Sequence, residues 1–463
     1  MKLQYFGAAG EVTGSCHWLH AADKNILLDC GMIQGGREEH ERNAAAFPFA
    51  VEEIDAVVLS HAHIDHCGRL PLLHKRGYRG PIYTHHATAA LAKIMLEDSA
   101  RLAAQDVEYQ NRRRARRGLP AFDVLYDQAD VQGVLTQLRG LDYGKWQSIL
   151  PAVEVRLADA GHILGAAIVE VQAVESGQQR KLVFSGDLGP KGAPILCDPT
   201  SIEAADLVMM ESTYGDRLHR NRSDTLAELG EIFQQVRGSG GNVLIPAFAV
   251  GRTQEILYWF AQRFDEWGLA DFRIVLDSPM ATKVTAVYGQ HQELFDIEAR
   301  RVWKSGHDPF RLPNLRFVES IEESQALNRI SKGLIIIAGS GMCNGGRIKH
   351  HLKHHLWRND AHVIFPGYQA QGTLGRLLVD GAETVRIYGE EIKVNAHRHT
   401  IGGLSAHADQ AGLADWYGQF KRRPRVVLVH GEDTARAGLA QVLRDRFAAE
   451  VTLAEVGGSA TIE

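Results

Sequence analysis

The chain has 463 residues, 45% of them hydrophobic and 23% charged, with a formal net charge of −5. That length supports two or three domains with full cores, the balance excludes a disordered or fibrous chain, and the negative sign excludes a global field that draws in polyanions. No apolar run approaches the ~20 residues of a membrane helix, no basic-then-apolar leader opens the sequence, and five scattered cysteines without a CxxC pair fit a reducing, cytoplasmic setting.

The first thirty residues read as strands at Lys2 to Phe6, Ser15 to His20 and Asn25 to Leu28, with Asp29 closing the third. A carboxylate at a strand end forms a turn or partners a metal-binding imidazole; the second reading is preferred. The apolar run Ala56 to Leu59 reads as a buried strand that ends in HAHIDH. In extended chain His61 and His63, two apart, point the same way and can grip one ion, while Asp65 and His66 face away and suit a second ion. This donor set suits zinc, with manganese or iron also compatible. A helix is expected from Thr88 to Gln110, running into QNRRRARRG. Its arginines (Arg112, Arg113, Arg114, Arg116 and Arg117) read first as a solvated helix face, with a phosphate-tracking patch as the weaker alternative.

Strands return with His162 in DAGHILGA, Asp187 in KLVFSGDLG and Glu211 at the end of ADLVMME. Such residues at successive strand ends are expected to line one cleft mouth. From about Ser223 strands alternate with helices, which predicts a separate α/β domain on an open, mainly parallel sheet. HHLKHH in this segment (His350, His351, His354, His355) reads as a plain helix face. EIKVNAHRHTIGGLSAHADQ then carries His397, His399 and His407, and PRVVLVHGE ends a strand at His430. Candidate ligands lie at 61–187 and again at 430, so if they share a site the material between them is an insert. The expected borders are 1–207 and 390–463 for the outer domain and 208–389 for the inserted one.

Asp29, HAHIDH, His162 in DAGHILGA, Asp187 in SGDLG and His430 in VLVHGE resemble the metallo-β-lactamase fold. ESTYGDR with Glu211, SAHAD with His407 and VHGE with His430 resemble the three extra motifs of its β-CASP branch, which includes RNA 3′-end endonucleases. The resemblance spans essentially the whole chain. It implies a four-layer αββα core with an inserted β-CASP domain as a cap and the active site in the cleft. It also implies two Zn2+ ions, with Mn2+ possible: one held by His61, His63 and His162, the other by Asp65, His66 and His430, with Asp187 bridging and Asp29 behind the histidine loop. By the same resemblance a bridging water, its pKa lowered to about 7 by the metals, attacks phosphorus in single-stranded RNA. His407, oriented by Glu211, protonates the leaving oxygen, and the products carry 5′-phosphate and 3′-hydroxyl ends.

Arg252 in GRTQ, Arg347 in GSGMCNGGR, Tyr368 and Arg376 in PGYQAQGTLGR, and Ser405 opening SAHAD are expected RNA contacts through arginine pairing, aromatic stacking and backbone N–H groups. The chain opens directly on core strands, without the N-terminal RNA-binding modules of archaeal relatives, so strong sequence preference is not expected. Two readings compete with a ribonuclease. A hydrolase of small esters or thioesters explains the metal box but not the insert or the extra motifs. An inactive RNA-binding scaffold would have lost ligands, and this chain has lost none.

Overall fold

The computed structural model describes residues 1–35, 38–175, 177–306 and 308–463. Contacts divide it into two units: residues 1–193, 197–218 and 407–463 form the first, and residues 194–196 and 219–406 the second.

The first unit holds two seven-stranded sheets. One runs in the order Ser459–Thr461, Lys2–Tyr5, His17–Ala21, Lys24–Leu28, Ala56–Val58, Ile82–His85, Leu138–Leu141. The other runs Val451–Leu453, Arg425–Val429, Leu207–Glu211, Gln178–Phe184, Ala167–Glu175, Val153–Asp159, Gln147–Leu150. Alternation puts Leu3, Leu19, Ile26 and Val58 of the first sheet and Val155, Leu157, Val169, Leu182, Met209 and Val427 of the second into one buried cluster, so the sheets pack face to face. Helices Leu70–Lys75, His86–Ala115 and Gln128–Gln137 pack together outside the first sheet, and Gln410–Tyr417 with Asp433–Phe447 outside the second, giving αββα layers.

Each sheet is antiparallel in one half and parallel in the other. The parallel pairs are Lys24–Leu28 with Ala56–Val58 and its successors, and Gln178–Phe184 with Leu207–Glu211, Arg425–Val429 and Val451–Leu453. In such sheets the loops at the carboxyl ends of parallel strands collect the functional groups.

The second unit has a six-stranded parallel sheet, in the order Leu315–Phe317, Arg273–Leu276, Leu334–Ala338, Val243–Pro246, His362–Phe365, His397–Thr400. Continuous apolar runs such as LIIIA at Leu334–Ala338 are fully buried, as a sheet covered on both faces requires.

The borders differ from 207/208 and 389/390. Leu207–Glu211 sits between Gln178–Phe184 and Arg425–Val429, which keeps 208–218 with the first unit. Glu390–Lys393 pairs with Thr384–Ile387, and His397–Thr400 is the edge strand beside His362–Phe365, which assigns 390–406 to the second. Histidines in that stretch resemble site chemistry in sequence, but strand pairing decides where it belongs. The long helix also runs past its expected ends, from His86 to Ala115. Among the described residues no helix is long and apolar enough to cross a membrane.

Candidate metal centre

His61 follows the strand Ala56–Val58, Asp187 follows Gln178–Phe184, Glu211 ends Leu207–Glu211, and His430 follows Arg425–Val429. All are carboxyl ends of parallel strands, drawn from both sheets of the first unit. The HAHIDH segment is extended only as far as His63. Ile64–Cys67 is one helical turn, and that turn swings Asp65 and His66 to a different heading from the His61 and His63 pair. Backbone N–H groups of Ser15, Cys30 and Met32 donate to the carbonyls of Asp65, His66 and Ile64 at 2.8, 2.8 and 2.9 Å, which fixes the turn. A Cβ at Gly31 would collide with the Asp65 carbonyl, so only glycine lets the two chains approach this closely.

Two groups of side chains converge. In one, His63 Nδ1 lies 3.1 Å from His61 Nε2 and 3.0 Å from His162 Nε2. In the other, His66 Nε2 lies 3.1 Å from His430 Nε2, and Asp65 Oδ2 is 3.5 Å from that same His430 nitrogen. Asp187 stands between them with its two oxygens divided. Its Oδ2 is 3.5 Å from His61 Nε2 and 3.6 Å from His162 Nε2, while its Oδ1 is 3.4 Å from His66 Nε2 and 3.5 Å from His430 Nδ1. Oδ1 is buried and has no hydrogen-bond partner, a costly arrangement for a carboxylate unless a ligand takes the lone pair.

The donor set fits divalent cations. Zn–N bonds of about 2.0–2.1 Å in a tetrahedron put ligand nitrogens about 3.3 Å apart, close to the spacing found here. Burial pushes His61 well below the usual imidazole range and His63 down to about 4, so both rings are neutral at pH 7 and offer a lone pair. Burial would raise the Asp187 carboxyl, but the imidazoles of His430, His66 and His61 hold it well below its usual range. Asp65, likewise buried, is brought down to about 2 by its hydrogen bond to His430 and by His66.

Partners behind the ligands aim them. His66 Nδ1 is 2.7 Å from Asp29 Oδ2, and that carboxylate also accepts from Ser60 N (2.7 Å), Ser60 Oγ (2.9 Å) and Ser15 Oγ (3.1 Å). Asp29 thus lies behind the histidine loop rather than among the converging atoms. Asp29 and His430 both have left-handed backbones, φ +59° and +51°, a conformation costing a non-glycine residue about 1–2 kcal/mol. His430 is kept there by its N–H to the Ala8 carbonyl (2.7 Å) and by Thr213 Oγ1, 3.1 Å from its Nδ1.

His407 Nδ1 is 3.2 Å from Glu211 Oε1 and 3.9 Å from Asp187 Oδ2. Burial alone would lower this imidazole, but Glu211, with Asp187 and Asp65 beyond, outweighs it and raises the ring to about 9. Glu211 is itself fixed by Leu188 N (2.7 Å) and Thr213 N (3.2 Å), and Ala408 N donates to the Leu188 carbonyl (2.7 Å), which brings His407 beside the Asp187 loop. Sequence reasoning missed Ser15, Ser60 and Thr213; the one signal for Ser60 and Thr213 is a hydroxyl within SHAH and ESTYG, and Ser15 carries none.

The expected RNA contacts in the second unit fare unevenly. Arg347 is spoken for: its Nη1 reaches Asp277 Oδ1 at 2.6 Å and the Val318 carbonyl at 3.2 Å, and its Nη2 donates to the Glu319 carbonyl. Arg252, mostly buried, pairs with Glu255, and Arg376 pairs with Asp380 across one helical turn. Tyr368 is 49% exposed and presents a ring. Ser405 lies in the second unit, at intermediate burial.

Family profiles match this arrangement along the chain: the metallo-beta-lactamase superfamily at residues 9–247, the Beta-Casp domain at 253–378, and the Zn-dependent metallo-hydrolase RNA specificity domain at 391–454. The chain belongs to the β-CASP branch of the metallo-β-lactamase superfamily. Among curated β-CASP relatives, ribonuclease TTHA0252 of Thermus thermophilus is 44% identical over 99% of both chains. Transcription termination factor FttA of Pyrococcus horikoshii is 33% identical over 96% of this chain and 69% of its own. A crystal structure of a protein of unknown function from Enterococcus faecalis V583 shares the fold, with a TM-score of 0.54 at 13% identity and 99% of each chain covered.

Proposed function

We propose that this β-CASP protein is a metal-dependent ribonuclease that hydrolyses phosphodiester bonds of single-stranded RNA in the cytoplasm. The observation that carries the reading is the divided carboxylate of Asp187, one oxygen toward each cluster of ligand atoms. His61, His63 and His162 would hold one ion and Asp65, His66 and His430 the other, with Asp187 bridging. Zinc is the favoured metal and manganese the alternative, given the imidazole and carboxylate donors. Bound there, the pair supplies Lewis acidity, acidifying water and neutralising charge on phosphoryl oxygens.

The chain's own residues do the rest. Asp29, Ser15 and Ser60 fix the heading of His66, so its Nε2 stays aimed at the centre. Glu211 holds His407 through Nδ1 and favours its protonated form. The far ring nitrogen, Nε2, is then the donor that protonates the departing ribose oxygen. Tyr368 offers a face on which a base can stack. RNA as substrate is supported by the RNA specificity profile and by a ribonuclease relative aligned end to end. Five free cysteines agree with a reducing compartment.

The test is incubation of 5′-labelled and internally labelled single-stranded RNA with the protein loaded with Zn2+ or Mn2+, with mapping of product ends. Metal-dependent products with 5′-phosphate and 3′-hydroxyl ends are expected; the same label pattern separates internal cutting from 5′ trimming. Hydrolysis of a thioester panel without RNA cleavage, or no hydrolysis with either metal, would overturn the proposal.

A further inference from the structure

The helix His86–Ala115 has two characters. Up to Ala100 it buries Ala87, Thr88, Leu91, Ala92, Leu96 and Ala100 against the first unit. From Arg101 to Pro120 no residue is buried. At 1.5 Å per residue the helix is about 45 Å long; its exposed second half, the arm, lies along a return segment whose Phe122 ring meets His40. Stretch 101–117 carries six arginines and no lysine against two acids, Asp106 and Glu108, on a chain whose net charge is −5.

The bland account is a solvated helix whose terminal cations complement the macrodipole. At an exposed end that effect is worth only about 0.3–1 kcal/mol per cation, and it gives no reason for five arginines and no lysine between Arg112 and Arg117. Three of the six are partnered: Arg101 pairs with Asp98, Arg112 with Glu108, and Arg114 donates to the Pro120 carbonyl at 2.6 Å and lies over Phe122. Arg113, Arg116 and Arg117 have no ion pair among the described residues. Arg113 lies over the ring of Tyr109 (5.8 Å), which is 59% exposed. The return segment is tied to the arm by reciprocal bonds between Asn111 and Phe122, at 2.9 and 3.1 Å, so the cluster is held in place. Arginine rather than lysine favours bidentate phosphate pairing and stacking on bases, and an exposed tyrosine beside it offers a further stacking face.

We infer that the arginine-bearing end of this helix is a second RNA-binding site, which grips single-stranded RNA away from the metal centre through phosphate pairing at Arg113, Arg116 and Arg117 and base stacking on Tyr109. The inference rests on the ribonuclease reading for the identity of the polyanion. The helix start is joined to the metal centre: Thr88 Oγ1 donates to the Gly165 carbonyl at 2.6 Å, in the turn that carries His162. A strand reaching from that turn to the arginines must cover most of the helix's length of about 45 Å. Oligonucleotides too short to bridge that length therefore occupy one site or the other, and long RNA engages both.

The test is the triple variant Arg113→Gln, Arg116→Gln, Arg117→Gln, which leaves the Arg112 and Arg114 contacts intact. Filter binding of a 30-nucleotide single-stranded RNA without added metal should weaken at least about tenfold at 0.1 M salt, and the log–log salt slope should fall by about 2. With metal, KM for the 30-mer should rise while kcat, and cleavage of a six-nucleotide RNA, stay unchanged. Unchanged binding and salt slope would overturn the arm, as would loss confined to vesicles of anionic lipid. A wild-type protein that binds RNA through these arginines yet cleaves none would leave the arm standing and remove the ribonuclease reading instead. Tyr109→Ala, expected to weaken single-stranded but not double-stranded RNA binding, guards against a generic charge effect; equal loss on both would overturn the stacking.

Discussion

Two regions of this molecule are built from the same residue types and end in opposite states. In the second unit, the buried carboxylate of Asp277 accepts from Ser324 Oγ (2.5 Å) and Arg347 Nη1 (2.6 Å) and lies 2.6 Å from His351 Nε2, whose other nitrogen faces Asn328 Oδ1 at 2.9 Å. Each carboxylate oxygen is satisfied, and the cluster joins the strand Arg273–Leu276 to the helix Gly346–His355. In the first unit, the buried carboxylate of Asp187 is ringed by imidazoles and keeps one oxygen with no hydrogen bond. Histidines and acids in a core therefore do not announce a site. What separates the two is satisfaction: a closed network is structure, and an open one is prepared for something that arrives later.

Substitutions can break that contrast. The largest effect is expected from Asp187→Ala, which should leave no measurable RNA cleavage and strip bound metal, read by product mapping and elemental analysis; retention of both would remove Asp187 from the centre. Next, His407→Ala should keep the metal and lose about 10²- to 10⁴-fold in cleavage rate, the range of a general acid. Asp29→Ala should lower metal affinity by about 10- to 100-fold, because an unbuttressed imidazole is a poorer ligand, read by competition with a chelating dye.

The converse test falls on the closed cluster. Asp277→Ala leaves Arg347 and His351 without their carboxylate and should cost about 3–5 kcal/mol of stability, with metal content and cleavage at 25 °C nearly unchanged. Its pH dependence follows from the sign of the shift. Burial would raise the Asp277 carboxyl, but His351, Ser324 and Arg347 outweigh it and lower it below the usual value. The stabilisation is therefore present above the unfolded-state value of about 3.9 and is lost as pH falls through the lowered one. Thermal unfolding of wild type and variant should differ most at neutral pH and converge in acid. A gap that stays constant down to pH 3 would mean that the carboxylate charge contributes nothing.

Much of the centre was legible because its chemistry is local. His61, His63, Asp65 and His66 fall within six residues, and Asp187, Glu211 and His430 each end an apolar strand. What was not legible is long-range pairing. Nothing near GSGMCNGGR says that Arg347 is taken by Asp277, seventy positions earlier, and so the arginine reads as available for phosphate when it is not. Similarly, His397 and His399 sit in a stretch that resembles the site, yet their strand is the edge of the other sheet. Backbone–backbone contacts such as Ser15 N to the Asp65 carbonyl carry no side-chain signature at all, and they fix the helical turn that separates the two ligand groups.

One cluster of candidate ligand atoms comes from residues 65, 66 and 430, and the strand that precedes the last of these pairs with Leu207–Glu211. A ribosome must therefore add 364 residues after His66 before the last imidazole, that of His430, can meet it. At about 5–20 residues per second, that interval lasts from about 20 s to about 70 s. Assembly order thus leaves the nascent chain without this cluster until both of its distant segments have been made.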